Sequence, residues 1–269
     1  MVTGMSADRS LSGHATPGRP RDAVVSPQHS PHHAATSAGK QREIAPGVCQ
    51  VTVGDVIPTH VYVLDTADGP VVFDSGPRGS GAMIAAAVGG AISRVVLSHS
   101  HVDHRGGAPE LGAPVACHPE EVPDATGDAG RRYLRAELIC DENVRAALAT
   151  LIEHWDGGPV AIADTVSDGD LVGDFAVVHT PGHSPGHISL YREADGLLLA
   201  GDAIYTFDVE TGAPSAPRVP HTSGNWDTPR ARDSVARLAA LGPRSVWPGH
   251  TLPLIARAAL SLSRAAEAP

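Results

Sequence analysis

"VVLSHSHVDHRGG", residues 95–107, places His99, His101, Asp103 and His104 within six positions, directly after an apolar run that reads as a buried strand. Lone-pair donors crowded where a strand ends suit a cation, because the sheet fixes the chain and the following loop aims the side chains. His99 and His101 are two apart and so project to the same side of extended backbone. A turn beginning at Val102 then sends Asp103 and His104 towards a second position. These residues cannot complete two tetrahedral ions, so other parts of the chain must contribute.

Three further candidates each follow a predicted strand: His183 in "HTPGHSPGH", Asp202 in "LLLAGDAIY" and His250 in "VWPGH". Around them the chain alternates short β-rich runs with helices. "VCQVTV", "THVYVLDT" and "PVVFDSG" read as consecutive strands, the last two joined by the Asp68-Gly69 turn signal. A small-residue helix over 80–89 leads to "RVVLS", and "PVACH" follows. A charged insertion over 119–156 carries helical spacing in "RRYLRAELI" and "NVRAALATLIEHW". Strands resume with "PVAIADTV", "FAVVHT", "HISLYRE" and "GLLLAGD". Thr228 is placed to cap a helix with Pro229 in its first turn, and Gly242 to end it; "RSVW" and a C-terminal helix complete the pattern. Each half thus has strands and helices, which predicts an α/β fold, an αββα four-layer sandwich of two mixed sheets flanked by helices. Residues 1–42, rich in Ser, Pro, Gly, His and Ala, read as a disordered tail, leaving 43–269 as one domain.

Composition narrows the function. The formal charge of -10 and the lack of a basic run argue against nucleic acid. No apolar stretch approaches the length of a membrane span. Lys40 is the only lysine and lies in the tail, which removes a Schiff-base or P-loop lysine from the domain. Cys49, Cys117 and Cys140 form no C-x-x-C pair and read as reduced thiols of a cytoplasmic protein. The start of the chain has no charged-then-apolar signal pattern, so export is not expected. The expected partner is a small molecule, and the oligomeric state, a homodimer included, is left open.

Together, Asp74 in "VVFDSG", the x-His-x-His-x-Asp-His cluster, "TPGHSPGH", "AGD" and the final "PGH" resemble, in that order, the metallo-β-lactamase-fold superfamily over about 44–255. The resemblance assigns His99, His101 and His183 to one metal, Asp103, His104 and His250 to another, and Asp202 to a bridge between them. It makes Asp74 the acid that holds a ligand histidine in the right tautomer. Two Zn²⁺ ions, with Fe, Mn or Co as alternatives, would leave such a site net positive and lower the pKa of bound water to about 7. The implied chemistry is hydroxide attack on a carbonyl, with Asp103 and Tyr205 as catalytic candidates. His179 and His187 read as hydrogen-bonded scaffolding, His118 and His154 as exposed residues, and His221 as a weak pocket candidate.

"GHSPG", residues 182–186, also fits the nucleophile-elbow pattern with Ser184 as nucleophile. The residue after that serine is Pro185, which has no N–H for an oxyanion hole, so the serine reading fails on chemistry. Within the resembling family, an acid at Asp202 argues against antibiotic hydrolysis, His101 stands where oxygen-reducing diiron members carry Glu, and the chain ends too soon after His250 for an appended glyoxalase-type helical domain. Tyr205, three residues after Asp202 as in acyl-homoserine lactone lactonases, favours a lactone. A small-molecule thioesterase of glyoxalase type and a mononuclear iron persulfide dioxygenase are the alternatives, with a non-catalytic metal-binding module behind them. The 119–156 insertion, with Trp155, is expected to line the substrate pocket or an interface.

Overall fold

The computed structural model describes residues 40–268. Its first sheet runs β1 (Gln41–Ala45), β2 (Val48–Val53), β3 (Thr59–Leu64), β4 (Val71–Phe73), β5 (Arg94–Val96), β6 (Val115–Cys117) and β7 (Asp164–Thr165) in sequence order. The β1 to β4 pairings are antiparallel and those from β4 to β7 parallel. The second sheet uses β8 (Leu171–Val172), β9 (Phe175–His179), β10 (Ile188–Arg192) and β11 (Leu197–Gly201). A separate ribbon, β12 (Tyr205–Phe207) with β13 (Pro214–Arg218), precedes β14 (Ser245–Pro248), which returns parallel to β11. Both main sheets are therefore mixed.

Alternation along the strands builds the layers. Val71, Phe73, Leu197 and Leu199 point inward to a cluster shared by the two sheets, with Tyr62, Val96, Val177 and Trp247. Val72 and Val95 point outward against Ile84 of α1 (Gly81–Val88). α2 (Val102–Arg105), α3 (Val122–Ala125) and α4 (Glu142–Trp155) follow the β5 and β6 ends and the insertion. On the other side Leu198 and Val246 pack beneath Val235 and Leu238 of α5 (Thr228–Ala240) and Leu262 of α6 (Ala258–Glu267). Each such side chain stabilises the fold by about 1.5–3 kcal/mol against exposure. The four layers are those the sequence predicts.

Several local expectations change. Gln41 and Arg42, assigned to the tail, begin β1; the rest of the tail up to residue 39 lies outside the described residues. "RRYLRAELI" forms two 3₁₀ turns, Arg131–Tyr133 and Ala136–Leu138, instead of a helix. Tertiary partners hold its arginines: Arg132 pairs with Asp124, Arg131 with Asp156, and Arg135 donates to the Thr222 carbonyl at 2.8 Å. The cap of α5 is Asp227, whose carboxylate accepts from the Arg230 N–H at 3.0 Å, while Thr228 is the first helical residue. Of "PVAIADTV", only Asp164–Thr165 pairs as strand. Trp155 is buried against Val102 and Ala129, so it packs the insertion onto α2 instead of lining a pocket.

A candidate dinuclear metal centre

The ends of β5, β9, β11 and β14 open towards one another, and each delivers a candidate side chain: His99, His183, Asp202 and His250. Backbone bonds tie this edge together, with Ile188 N–H donating to Ser98 O at 2.9 Å across the sheets and Gly249 N–H to Gly201 O at 2.7 Å. Glycine is required at 249, because a Cβ there would sit 2.3 Å from Asp202 Oδ1. His101 caps α2 with extended backbone, which turns Asp103 and His104 into its first turn.

All seven side chains converge. His99, His101 and His183 form one cluster, with ring centroids 4.6–4.8 Å apart. Asp103, His104 and His250 form a second, with Asp103 Oδ2 3.3 Å from His250 Nε2. Asp202 lies between them: one oxygen is 3.4 Å from His104 Nε2 and the other 3.7 Å from His183 Nε2 and 3.4 Å from His250 Nε2. All but Asp103, which is partly open to solvent, are buried.

Hydrogen bonds on the far side of four rings, those of His99, His104, His183 and His250, fix which nitrogen points inward. The Asp74 carboxylate accepts from His104 Nδ1 at 2.9 Å and from Ser98 Oγ at 2.8 Å. The Ser98 hydroxyl, its proton given to Asp74, accepts from His99 Nδ1 at 3.0 Å. Asn225 directs its amide NH₂ to Pro220 O and Thr228 Oγ1, which leaves Oδ1 to accept from His183 Nδ1 at 3.1 Å. His250 Nδ1 donates to Pro58 O at 2.7 Å. In every case Nδ1 carries a proton and Nε2 faces the centre. The Nε2 atoms of His99, His101 and His183, and Asp202 Oδ1, are buried with no hydrogen-bond partner. Buried polar atoms are rarely left so, and convergent unpaired donors are what a cation requires.

Electrostatics agree. Burial keeps His99 and His183 below the ordinary histidine range and brings His101 down to about 3, so these rings are neutral, as a ligand must be. Burial also opposes charge on His104 and His250, but Asp202 and Asp103 outweigh it and raise both, His250 to about 10. Their Nε2 atoms lie 3.3 Å apart, too close for both to carry protons. The carboxylates thus create a strongly negative field that a divalent cation can satisfy with both lone pairs.

His187 and His179 are hydrogen-bonded scaffolding. His187 Nε2 accepts from Asp202 N–H at 3.0 Å and its Nδ1 bonds Thr180 Oγ1 at 2.8 Å, which orients Asp202 and leaves His187 no free lone pair. His179 Nε2 donates to Pro185 O at 3.1 Å. His118, expected to be exposed, is buried: it stacks on His179 at 3.9 Å and caps the following turn by accepting from Glu120 N–H. His154 is exposed, as expected. Tyr205 donates to Asp202 Oδ2 at 2.8 Å.

Sequence reasoning missed Ser98, Asn225 and Glu121. Glu121 is fully buried; it accepts from Ser100 N–H and Gly186 N–H, both at 2.9 Å, and from the Ser184 hydroxyl. Burial raises its carboxyl above the usual range. One carboxylate thereby clamps the loops that carry His99, His101 and His183, and Ser184 is occupied in that clamp. The only available signal was a glutamate at the start of the insertion.

The family model described as the metallo-beta-lactamase superfamily matches residues 54–250. The probable metallo-hydrolase YflN of Bacillus subtilis (strain 168) is 29% identical over 238 residues, covering 81% of this chain and 88% of YflN. The atrochrysone carboxyl ACP thioesterase of Aspergillus fumigatus is 28% identical over 197 residues, 71% of this chain but only 50% of that protein. Among solved structures, TTHA1623 in a di-iron-bound form superposes with a TM-score of 0.58, with 25% identity over 80% of this chain and 97% of that one. The chain belongs to the metallo-beta-lactamase superfamily.

Proposed function

We propose that this protein is a dinuclear metal-dependent hydrolase that cleaves the acyl bond of a small thioester. The observation that carries the reading is the set of buried Nε2 lone pairs of His99, His101 and His183, the first and last fixed by a bond behind the ring, aimed at one space with no protein donor to receive them. His99, His101 and His183 would hold one ion, Asp103, His104 and His250 the other, and Asp202 would bridge them. When bound, such a pair of divalent ions supplies Lewis acidity and a water acidified to near neutral pH.

The chain's own residues do the rest. Asp74, through His104 and through Ser98 to His99, sets tautomers in both clusters. Asn225 does so for His183. Asp103, the most open of the carboxylates, is placed to take a proton from the attacking water. Tyr205 gives its only proton to Asp202, which steadies that carboxylate.

That last contact bears on the order in which we place the substrates. A lactone was expected because a phenol could donate to the developing oxyanion, a contribution of about 2–4 kcal/mol. With its proton on Asp202, Tyr205 would first have to turn. The thioester reading is supported instead by the thioesterase relative from Aspergillus fumigatus, and the lactone is kept as the second reading on the strength of Tyr205. Zinc and iron both suit the ligand set, and iron is the metal of the TTHA1623 structure.

The test is elemental analysis and a hydrolysis screen on one preparation, using a thioester, a lactone and an oxygen ester of the same acyl group. Thioester cleavage that disappears with a chelator and returns with zinc or iron is expected. A preparation with both ions bound that cleaves none of the three contradicts the reading.

A further inference from the structure

A cavity of about 710 Å³ lies beyond Tyr205, and no member of the two histidine and carboxylate clusters lines it. Its wall includes Tyr205 and Phe207 of β12, Arg218 of β13, His221, and Arg232 of α5. Arg218 pairs with Asp208, which also borders the cavity, at 2.9 Å. Arg232 has no carboxylate partner among the described residues, and its Nε is buried without a hydrogen bond. A guanidinium cannot shed its charge, so a half-buried one beside a cavity, its Nε buried without a partner, suits an acceptor from elsewhere. In a chain of formal charge -10, this cavity gathers two arginines against one carboxylate.

Two connections lead from it to the metal centre. The Tyr205 ring lines the cavity while its hydroxyl contacts Asp202. Thr228, also in the wall, accepts from the Asn225 amide that positions His183. The cavity therefore adjoins the clustered donors across Tyr205 and Asn225. We propose that this cavity binds the anionic end of the substrate, a phosphate or carboxylate carried by the leaving thiol, with Arg232 as its counter-charge. The proposal rests on the hydrolase reading and names its substrate class. Arg232 is here a specificity residue, paired to the anion as guanidinium groups pair with phosphate or carboxylate oxygens.

The experiment compares one acyl group on three thiols: coenzyme A, glutathione and N-acetylcysteamine, which present phosphates, carboxylates and no charge. The wild type is expected to favour one anionic thiol over the neutral one in kcat/KM by about tenfold or more, the scale of one charge-assisted hydrogen bond. Arg232→Gln should erase that ratio, mainly through KM, and Arg232→Lys should keep part of it. Preference for coenzyme A identifies phosphate, and preference for glutathione identifies carboxylate. No anionic preference in the wild type, or an equal loss on all three substrates in Arg232→Gln, overturns the proposal. If no thioester is cleaved with both ions bound, the thioester reading fails separately. Calorimetric titration with S-methyl coenzyme A and S-methyl glutathione then decides the cavity. Binding that weakens about tenfold in Arg232→Gln upholds it, and no binding of either compound overturns it.

Discussion

Replacing Asp74 by Asn tests how tautomers are set. Three donors point at this carboxylate: Ser98 N–H at 2.7 Å, Ser98 Oγ at 2.8 Å and His104 Nδ1 at 2.9 Å. A carboxamide has one acceptor oxygen, so in either orientation its NH₂ faces at least one of these donors. Facing His104, it favours the tautomer that carries the proton on Nε2 and hides the inward lone pair. Facing the Ser98 amide, it breaks a buried backbone bond. Loss of one hydrogen bond to a charged acceptor costs about 1.5–3 kcal/mol, or roughly 10- to 150-fold, which overlaps the 10- to 100-fold typical of residues that orient metal ligands. Competition with a chromophoric chelator should show zinc binding weakened by about that factor in Asp74→Asn. Thermal unfolding in chelator separates fold from affinity, with Tm falling by about 3–10 °C. Zinc affinity within about threefold of wild type would refute the tautomer argument, since a correctly oriented ring does not need that carboxylate.

Three other perturbations probe the surroundings. Ser184→Ala removes a donor to Glu121 but no nucleophile, so hydrolysis should persist within about tenfold, whereas loss of a nucleophile would cost on the order of a million-fold. Arg105→Met strips the buried guanidinium that donates to the carbonyls of Asp124 and Ala125, both at 2.6 Å; stability should fall by about 3 kcal/mol, seen as a Tm lower by roughly 6–12 °C, and an unchanged Tm would show that the bonds are dispensable. Burial pushes the Cys117 thiol up to about 12, while Cys140 is exposed. Iodoacetamide at pH 8 should therefore label Cys140 in the folded protein and Cys117 only after unfolding, with peptide mass spectrometry as the readout; equal labelling would contradict the buried placement.

What the sequence made legible follows the range of the interactions. His99, His101, Asp103 and His104 were readable because their spacing is local, and His183, Asp202 and His250 because each follows an apolar run that had to end at a sheet edge. Ser98 and Asn225 carry no such mark. Asn225 acquires its role only when folding brings it to His183, 42 positions away, and its orientation depends on Pro220 and Thr228. Glu121 is similar, since its donors lie 21 to 65 positions away. "RRYLRAELI" has helical spacing, but salt bridges and carbonyl contacts made by its arginines prevail over a weak propensity. His118 looked like any polar residue after a strand, and its stacking on His179 appears only once the fold brings the two rings together. Local spacing thus revealed the donors, while the groups that orient them emerged from tertiary contacts.

The most direct test of the account is the metal content of protein purified without chelator, loaded with zinc or iron and dialysed. About two equivalents per chain are expected, and His183→Ala and His250→Ala should each lose about one, because each removes a donor from a different cluster. One equivalent of iron in the wild type, unaffected by His250→Ala, would contradict the dinuclear centre and favour a mononuclear iron enzyme.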